Sequence, residues 1–229
     1  MNDEEKLGRA LSLTQVLRPP KQALATFGVT SIEYYLLTQP SYVDNMTEET
    51  VVRRGRVIAN RPHIVTPYYL SRVEGFSADA QRYLSQLMAE HGLHAPGIYY
   101  TYRNEPGGLD IMSDSLPMVL EKINKEIDEK NDPLAVVIQG ADEMWDISLM
   151  KFIFEMTRNS FGENVRELNS RGLLKIDGEG VPQGARLHIE EMFNQFYRGA
   201  VKPGELKGEL DRWGLFETYQ DRFLALFKR

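Results

Sequence analysis

The chain has 229 residues, of which 42% are hydrophobic and 26% charged, the balance of a folded globular protein, and this excludes disorder over its bulk. Its 33 Asp and Glu against 27 Lys and Arg leave a net charge of −6, which argues against a general nucleic-acid binder, because phosphate contacts need a concentrated positive face. Cysteine is absent, so disulfides, thiolate metal sites and cysteine nucleophiles are excluded.

From Asp3 to Val16 leucines recur among charged residues (Leu7, Leu11, Leu13), the pattern of an amphipathic helix, ended by Pro19 and Pro20. Val29 to Leu37 is rich in β-branched and aromatic residues and stops at Pro40, so it reads as a strand, as do Thr50 to Ala59 and Ile64 to Leu70. Pro62 and Pro67 bracket part of the last of these and favour an edge position, since proline cannot donate to a ladder. Ser77 caps a helix running to about Glu90 with the stripe Tyr83, Leu84, Leu87 and Met88, and Gly92 stops it. Ile98 to Tyr102 and Leu109 to Met112 flank Asn104-Glu-Pro-Gly-Gly108, a turn signal that predicts a hairpin. A helix follows through Val119, Leu120, Ile123 and Ile127. Leu134 to Gln139 is the most apolar strand, expected to be central and buried on both faces. Beyond Gly140 the periodicity turns helical: Met144 to Met156, Gly184 to Tyr197, and Glu205 to the end of the chain, the last with an aromatic stripe.

The fold class that follows is α+β: a mixed or largely antiparallel sheet of about five strands with covering helices, then a mostly helical C-terminal segment. The boundary is set at residues 1–140 against 141–229, with no flexible linker between them, so the two segments are open to sharing one core. The opening Met-Asn-Asp-Glu-Glu-Lys lacks the basic start and apolar stretch of a secretion signal, and no apolar run reaches the roughly 18 residues of a membrane span. A cytoplasmic protein with no membrane partner is expected.

Charge is spread unevenly. Residues 51–100 carry six arginines against three acidic side chains, a net of +3, while residues 101–150 carry four basic against eleven acidic, a net of −7. The basic block centres on Arg53-Arg54-Gly-Arg56, continued by Arg61 and His63. Alternation along a strand puts Arg54 and Arg56 on one face and Arg53 on the other, so Arg54 and Arg56 make a candidate clamp for a phosphate or carboxylate. Tyr68 and Tyr69 follow closely, and nine of the eleven tyrosines lie between Tyr34 and Tyr102, giving a tyrosine-rich face that a ligand or partner could use. The competing reading is an exposed strand whose arginines pair with carboxylates elsewhere. The acidic block supplies Asp142, Glu143 and Asp146 just past the apolar strand. Strand ends are where α/β proteins place ligand groups, and helix starts attract acidic caps as well. No phosphate-loop motif accompanies them.

Other patterns carry less. Gly178-x-Gly180-x-x-x-Gly184 is one residue too long for a dinucleotide loop and contains Pro182, so a turn opening a helix is expected. The four histidines (His63, His91, His94, His188) lack metal-site spacing, and neither a metal nor a cofactor is predicted. The stretch from Asn164 to Gly180 lies within residues 161–182, which have a net charge of −1, and reads as a structural turn rather than a DNA-reading wing. Phe216, Tyr219, Phe223, Leu226 and Phe227 form a stripe that either packs on the protein's own core or joins two copies as a homo-oligomer. Two function classes are open: a self-associating binding or regulatory protein taking a small anionic ligand or a partner on the basic, tyrosine-rich face, and a small-molecule enzyme with Arg54, Arg56, His63, Asp142 and Glu143 in one pocket.

Overall fold

The computed structural model describes residues 3–40, 49–73 and 77–227. In chain order its elements are α1 (Asp3–Leu13), β1 (Gln15–Arg18), β2 (Thr30–Thr38), β3 (Thr50–Ala59), β4 (His63–Val65), α2 (Pro67–Ser71), α3 (Ala78–His91), β5 (Gly97–Tyr99), β6 (Tyr102–Met112), α4 (Leu116–Lys130), β7 (Val136–Gln139), α5 (Trp145–Ser170), α6 (Gln183–Tyr197), α7 (Pro203–Trp213) and α8 (Phe216–Ala225). The class is α+β, with a five-stranded mixed sheet and helices dominating the C-terminal part. No described helix is long and apolar enough to cross a membrane.

The chain forms two compact units, Met1–Arg61 with Tyr100–Asn164, and Pro62–Tyr99 with Val165–Arg229. Each is discontinuous, so the division differs from a single cut after residue 140. Residues 62–99 look like part of the strand-rich half in sequence, yet Val65 and Tyr69 belong to the core made by the C-terminal helices.

The first unit is the sheet, in the order β1-β7-β2-β3-β6. β2 and β7 run parallel, and the other neighbouring pairs run antiparallel. Alternation sorts β2 onto two cores. Ile32, Tyr34 and Leu36 join Val57, Val136 and Ile138 against Leu149, Phe152 and Met156 of α5. Tyr35 and Leu37 join Val52 and Val137 against Val119, Ile123 and Ile127 of α4. Three turns of α4 present the same stripe because those residues are four apart. Each such aliphatic chain contributes about 2 kcal/mol by leaving water. The apolar Leu134–Gln139 run is an interior strand, with Val136, Val137 and Ile138 fully buried.

Three sequence expectations for strands are corrected. The Asn104–Gly108 segment is no hairpin: β6 is one strand of 11 residues paired with β3 along its length. Its glycines serve a bulge, where pairing steps from Gly55 opposite Pro106 to Arg53 opposite Leu109. A Cβ on Gly107 would lie 2.9 Å from the Arg54 carbonyl, so the close backbone approach demands glycine. The Ile64–Leu70 run is strand only at His63–Val65, because Thr66 accepts a hydrogen bond from the Tyr69 amide and Pro67 takes the first helical position of α2. The first helix ends at Leu13 and the next residues form β1, an element the proline pair had masked.

The second unit is a helical cluster with the small antiparallel pair β4–β5. Its core includes Ile189 and Phe193 of α6, Leu206, Leu210 and Trp213 of α7, and Phe223 of α8. The Ser77 cap and Gly92 stop of α3 are both present, the Ser77 hydroxyl accepting from the Ala80 amide and Gly92 sitting at φ 90°. Tyr83 of its stripe is exposed, and the side chain of Leu87 lies outside the described ones. The terminal segment is two helices rather than one, divided at Gly214 (φ 69°). Residues 171–174 form a turn, and an isolated Ile176–Pro182 bridge follows before α6 begins.

Candidate functional site

β3 delivers its arginines as alternation requires, and the two faces meet different fates. Arg54 shares the α4 face with Tyr35, its partner in register. Its guanidinium lies 5.0 Å from the Tyr35 ring centroid and donates to both oxygens of Glu126 at 2.9 and 3.1 Å. Lys130 bonds the same carboxylate at 2.9 Å, and Asp110 stands 3.5 Å from Arg54 Nε. Burial raises the Glu126 carboxyl, but the hydrogen bonds from Lys130 and Arg54 outweigh it and hold the group below the ordinary carboxylate range. Arg56 is exposed on the same face, between Glu33 and Glu105 in register. Arg54, one half of the proposed clamp, is thus already supplied with anions by its own unit.

The remaining members of the basic, tyrosine-rich set are divided between the two units. Arg61 ends the first stretch of the sheet unit, and His63, Tyr68 and Tyr69 belong to the helical unit. His63 stacks on Tyr99 at 5.1 Å and meets His188 edge-on at 5.5 Å. Tyr68 takes Arg72 over its ring at 4.7 Å. Tyr69 is buried, its hydroxyl donating to Glu209 at 2.9 Å, and burial together with that carboxylate holds the phenol well above its usual range. Tyr42, one of the tyrosines counted above, lies outside the described residues.

Arg53 points to the α5 face, and there it finds Asp142. Its guanidinium pairs with Asp142 Oδ1 at 2.8 Å and donates to the Thr38 hydroxyl at 2.8 Å, while Thr38 donates to the same Oδ1 at 2.8 Å. The guanidinium also lies 5.7 Å from the Trp145 ring centroid. Arg54 and Arg56 stand on the opposite sheet face from this group, so a pocket combining them with Asp142 does not form. Asp146 is in the first turn of α5 and accepts from the Ile147 amide, a capping role.

Asp142 and Glu143 line a cleft of about 410 Å³ at the carboxyl ends of the parallel strands β2 and β7. Its floor is Gln39 and Pro40 after β2 and Gln139 and Gly140 at the end of β7, and α1 supplies Lys6, Arg9 and Leu13. The wall is held from behind: a Cβ on Gly140 would lie 2.4 Å from Ser148 Oγ, and the buried Ser148 hydroxyl bonds Thr14 at 2.7 Å. Thr14 in turn donates to the Ala10 carbonyl, which ties the end of α1 to α5. With Asp142 neutralised by Arg53, the lining carries Lys6 and Arg9 against Glu143, a net of +1. Among the described residues no three His, Asp or Glu side chains are grouped to hold a metal ion.

The reading from sequence names Asp142 and Glu143 as site residues and sets Arg53 on the other face of its strand without a site role, and it does not name Lys6, Arg9 or Thr38. The α5-facing side of Arg53 was available from alternation alone; the parallel pairing of β2 with β7, which makes their ends one site, was not. The C-terminal aromatic stripe packs on its own unit: Phe216, Tyr219, Phe223 and Leu226 join the helical core, and Phe227, though exposed, rests its ring on Phe196 and Phe223. The chain matches no family model, and searches of curated proteins and of solved structures return no match.

Proposed function

We propose that this is a binding or regulatory protein of the cytoplasm that takes a small anionic ligand, a carboxylate or phosphate, in the cleft between α1 and the carboxyl ends of β2 and β7. The observation that supports this reading is the lining charge: Arg53 cancels Asp142 from behind, leaving Lys6 and Arg9 as the excess. Two cations from one helix recognise an anionic group. Gln39, Gln139 and Glu143 offer hydrogen bonds to the rest of a small polar molecule, and about 410 Å³ is the volume of an ordinary metabolite site. Crevices outside the carboxyl ends of parallel strands are where such ligands bind in α/β sheets generally.

The test is a thermal-shift panel of phosphate monoesters and small carboxylates on the wild-type chain, on Lys6→Ala/Arg9→Ala, and on Arg54→Ala as a control from the other sheet face. A ligand at 100 times its Kd stabilises by about 2.7 kcal/mol, a rise of several degrees for a chain of this size. The rise is expected in wild type and Arg54→Ala and lost in the double variant. A rise of equal size in the double variant removes the cleft from consideration.

A further inference from the structure

β6 is the outer strand of the sheet, with β3 as its one neighbour among the described residues. Leu109 and Ile111 on it are 56% and 55% exposed, unusual for apolar residues on so long an edge. The ladder fixes which amides face outward. The Asn60 amide donates to the Thr101 carbonyl at 3.0 Å, so that pair is hydrogen-bonded, and the pairs alternate from there. Residues 103 and 105 turn inward to 58 and 56, and Tyr102 and Asn104 turn their N–H and C=O to the free edge. Beyond the bulge, Asp110 turns inward to Val52, and Leu109 and Ile111 turn outward.

We propose that β6 is a dimerisation edge, on which a second copy of this chain pairs its own β6 antiparallel about a two-fold axis between Pro106 and Gly107. The register sets Tyr102 opposite Ile111 and Asn104 opposite Leu109 of the second copy. Every one of those four residues faces outward and carries an amide, so the pairing completes two hydrogen-bonded pairs in each half. Parity agrees as well. The bulge shifts the alternation, so Tyr102, Asn104, Leu109 and Ile111 all lie on the α5 face of the sheet, and Arg103 and Asp110 both lie on the other. In this register Arg103 stands directly opposite Asp110 of the second copy, twice by symmetry. Both are mostly exposed, at 71% and 60% of their side chains. Sliding by two residues so that Glu105 meets Asp110 sets like charges opposite each other.

A second copy fits better than an unrelated strand. A regular strand laid along all of β6 meets the missing donor of Pro106 and loses register at the bulge. A second β6 carries the matching irregularity, and the axis places the two against each other. The product joins two five-stranded sheets edge to edge.

Sedimentation equilibrium and amide hydrogen exchange test this on the full chain. A dimer is expected, with the amides of Tyr102, Asn104, Leu109 and Ile111 protected in it and exposed on dilution, while those of Arg103 and Asp110 stay protected throughout. Arg103→Asp and Asp110→Arg are each expected to weaken the dimer on the order of 10-fold, and the double exchange to restore it. Circular dichroism confirms that each variant is folded. A chain that stays monomeric up to about 1 mM overturns the proposal, as does a dimer whose four outward amides exchange at the same rate at every dilution.

Discussion

Glu209 of the helical unit and Asp142 of the sheet unit, one buried and one half-buried, are treated in opposite ways. In the helical unit Glu209 is closed out: Oε1 accepts from Trp213 Nε1 at 3.0 Å, and Oε2 accepts from the Tyr69 hydroxyl at 2.9 Å and from Arg212 at 3.2 Å. Asp177 in the same unit is treated alike, with Oδ1 taking the Glu179 and Val181 amides and Oδ2 taking Arg186 Nε at 2.7 Å. In the sheet unit Asp142 keeps both of its bonds to the described residues on Oδ1 and borders a cleft. A carboxylate with both oxygens engaged by its own chain is part of the scaffold. One with an oxygen uncommitted beside a cavity is positioned to shape the field a ligand meets.

The largest expected effect comes from breaking the closed case. Glu209→Ala strands a buried tyrosine hydroxyl, an indole N–H and a guanidinium at once, and is expected to cost about 3 kcal/mol, read as a lower urea midpoint. Glu209→Gln keeps one acceptor for Tyr69 or Trp213 and should lose about half of that. A variant as stable as wild type would place Glu209 with Asp142 rather than apart from it.

Asp142→Asn sharpens the contrast from the other side. It is expected to lower stability by only about 1 kcal/mol, because Thr38 keeps an acceptor. It also frees the Arg53 charge behind the cleft wall, so affinity for an anionic ligand is expected to rise about 5-fold, the worth of one further charge at the surface. Calorimetric titration of the two forms with the same ligand checks this.

The smallest effect is in acid. Burial raises the Asp177 carboxyl, but the Val181 amide, Arg186 and the Glu179 amide together hold it below its ordinary value. A folded-state pKa below the unfolded one gives stability that is complete above the unfolded value, near pH 4, and is lost as pH falls through the folded value. The stability gap between wild type and Asp177→Asn is therefore expected to be full at neutral pH and to close below about pH 4, in urea melts run across that range.

Much of the sheet was legible because its signals are local. The Leu134–Gln139 run had to be an interior strand, since nothing in it suits water, and alternation alone sorted Arg53 from Arg54 and Arg56. The misreadings share a cause: one local signal serves two structures. Pro67 ends a strand or begins a helix, and the Thr66 hydroxyl decided for the helix. Gly107 and Gly108 serve a turn or a bulge, and the Gly107 position against the Arg54 carbonyl decided for the bulge. The site was half legible. Asp142 and Glu143 stand where a strand becomes a helix, which sequence can show. Lys6 and Arg9 reach them because β7 enters the sheet between β1 and β2 and pairs with β1, the strand that follows α1, a long-range pairing without a local mark.

That same insertion governs how the molecule is made. β1 and β2 are close in sequence and are separated in the sheet by β7, which is synthesised about a hundred residues later. A nascent chain still lacking β7 holds a gap at the centre of its sheet, with the apolar edge of β2 uncovered. The last strand to emerge is the one that closes the layer, so the sheet cannot be completed until residue 139 has been made.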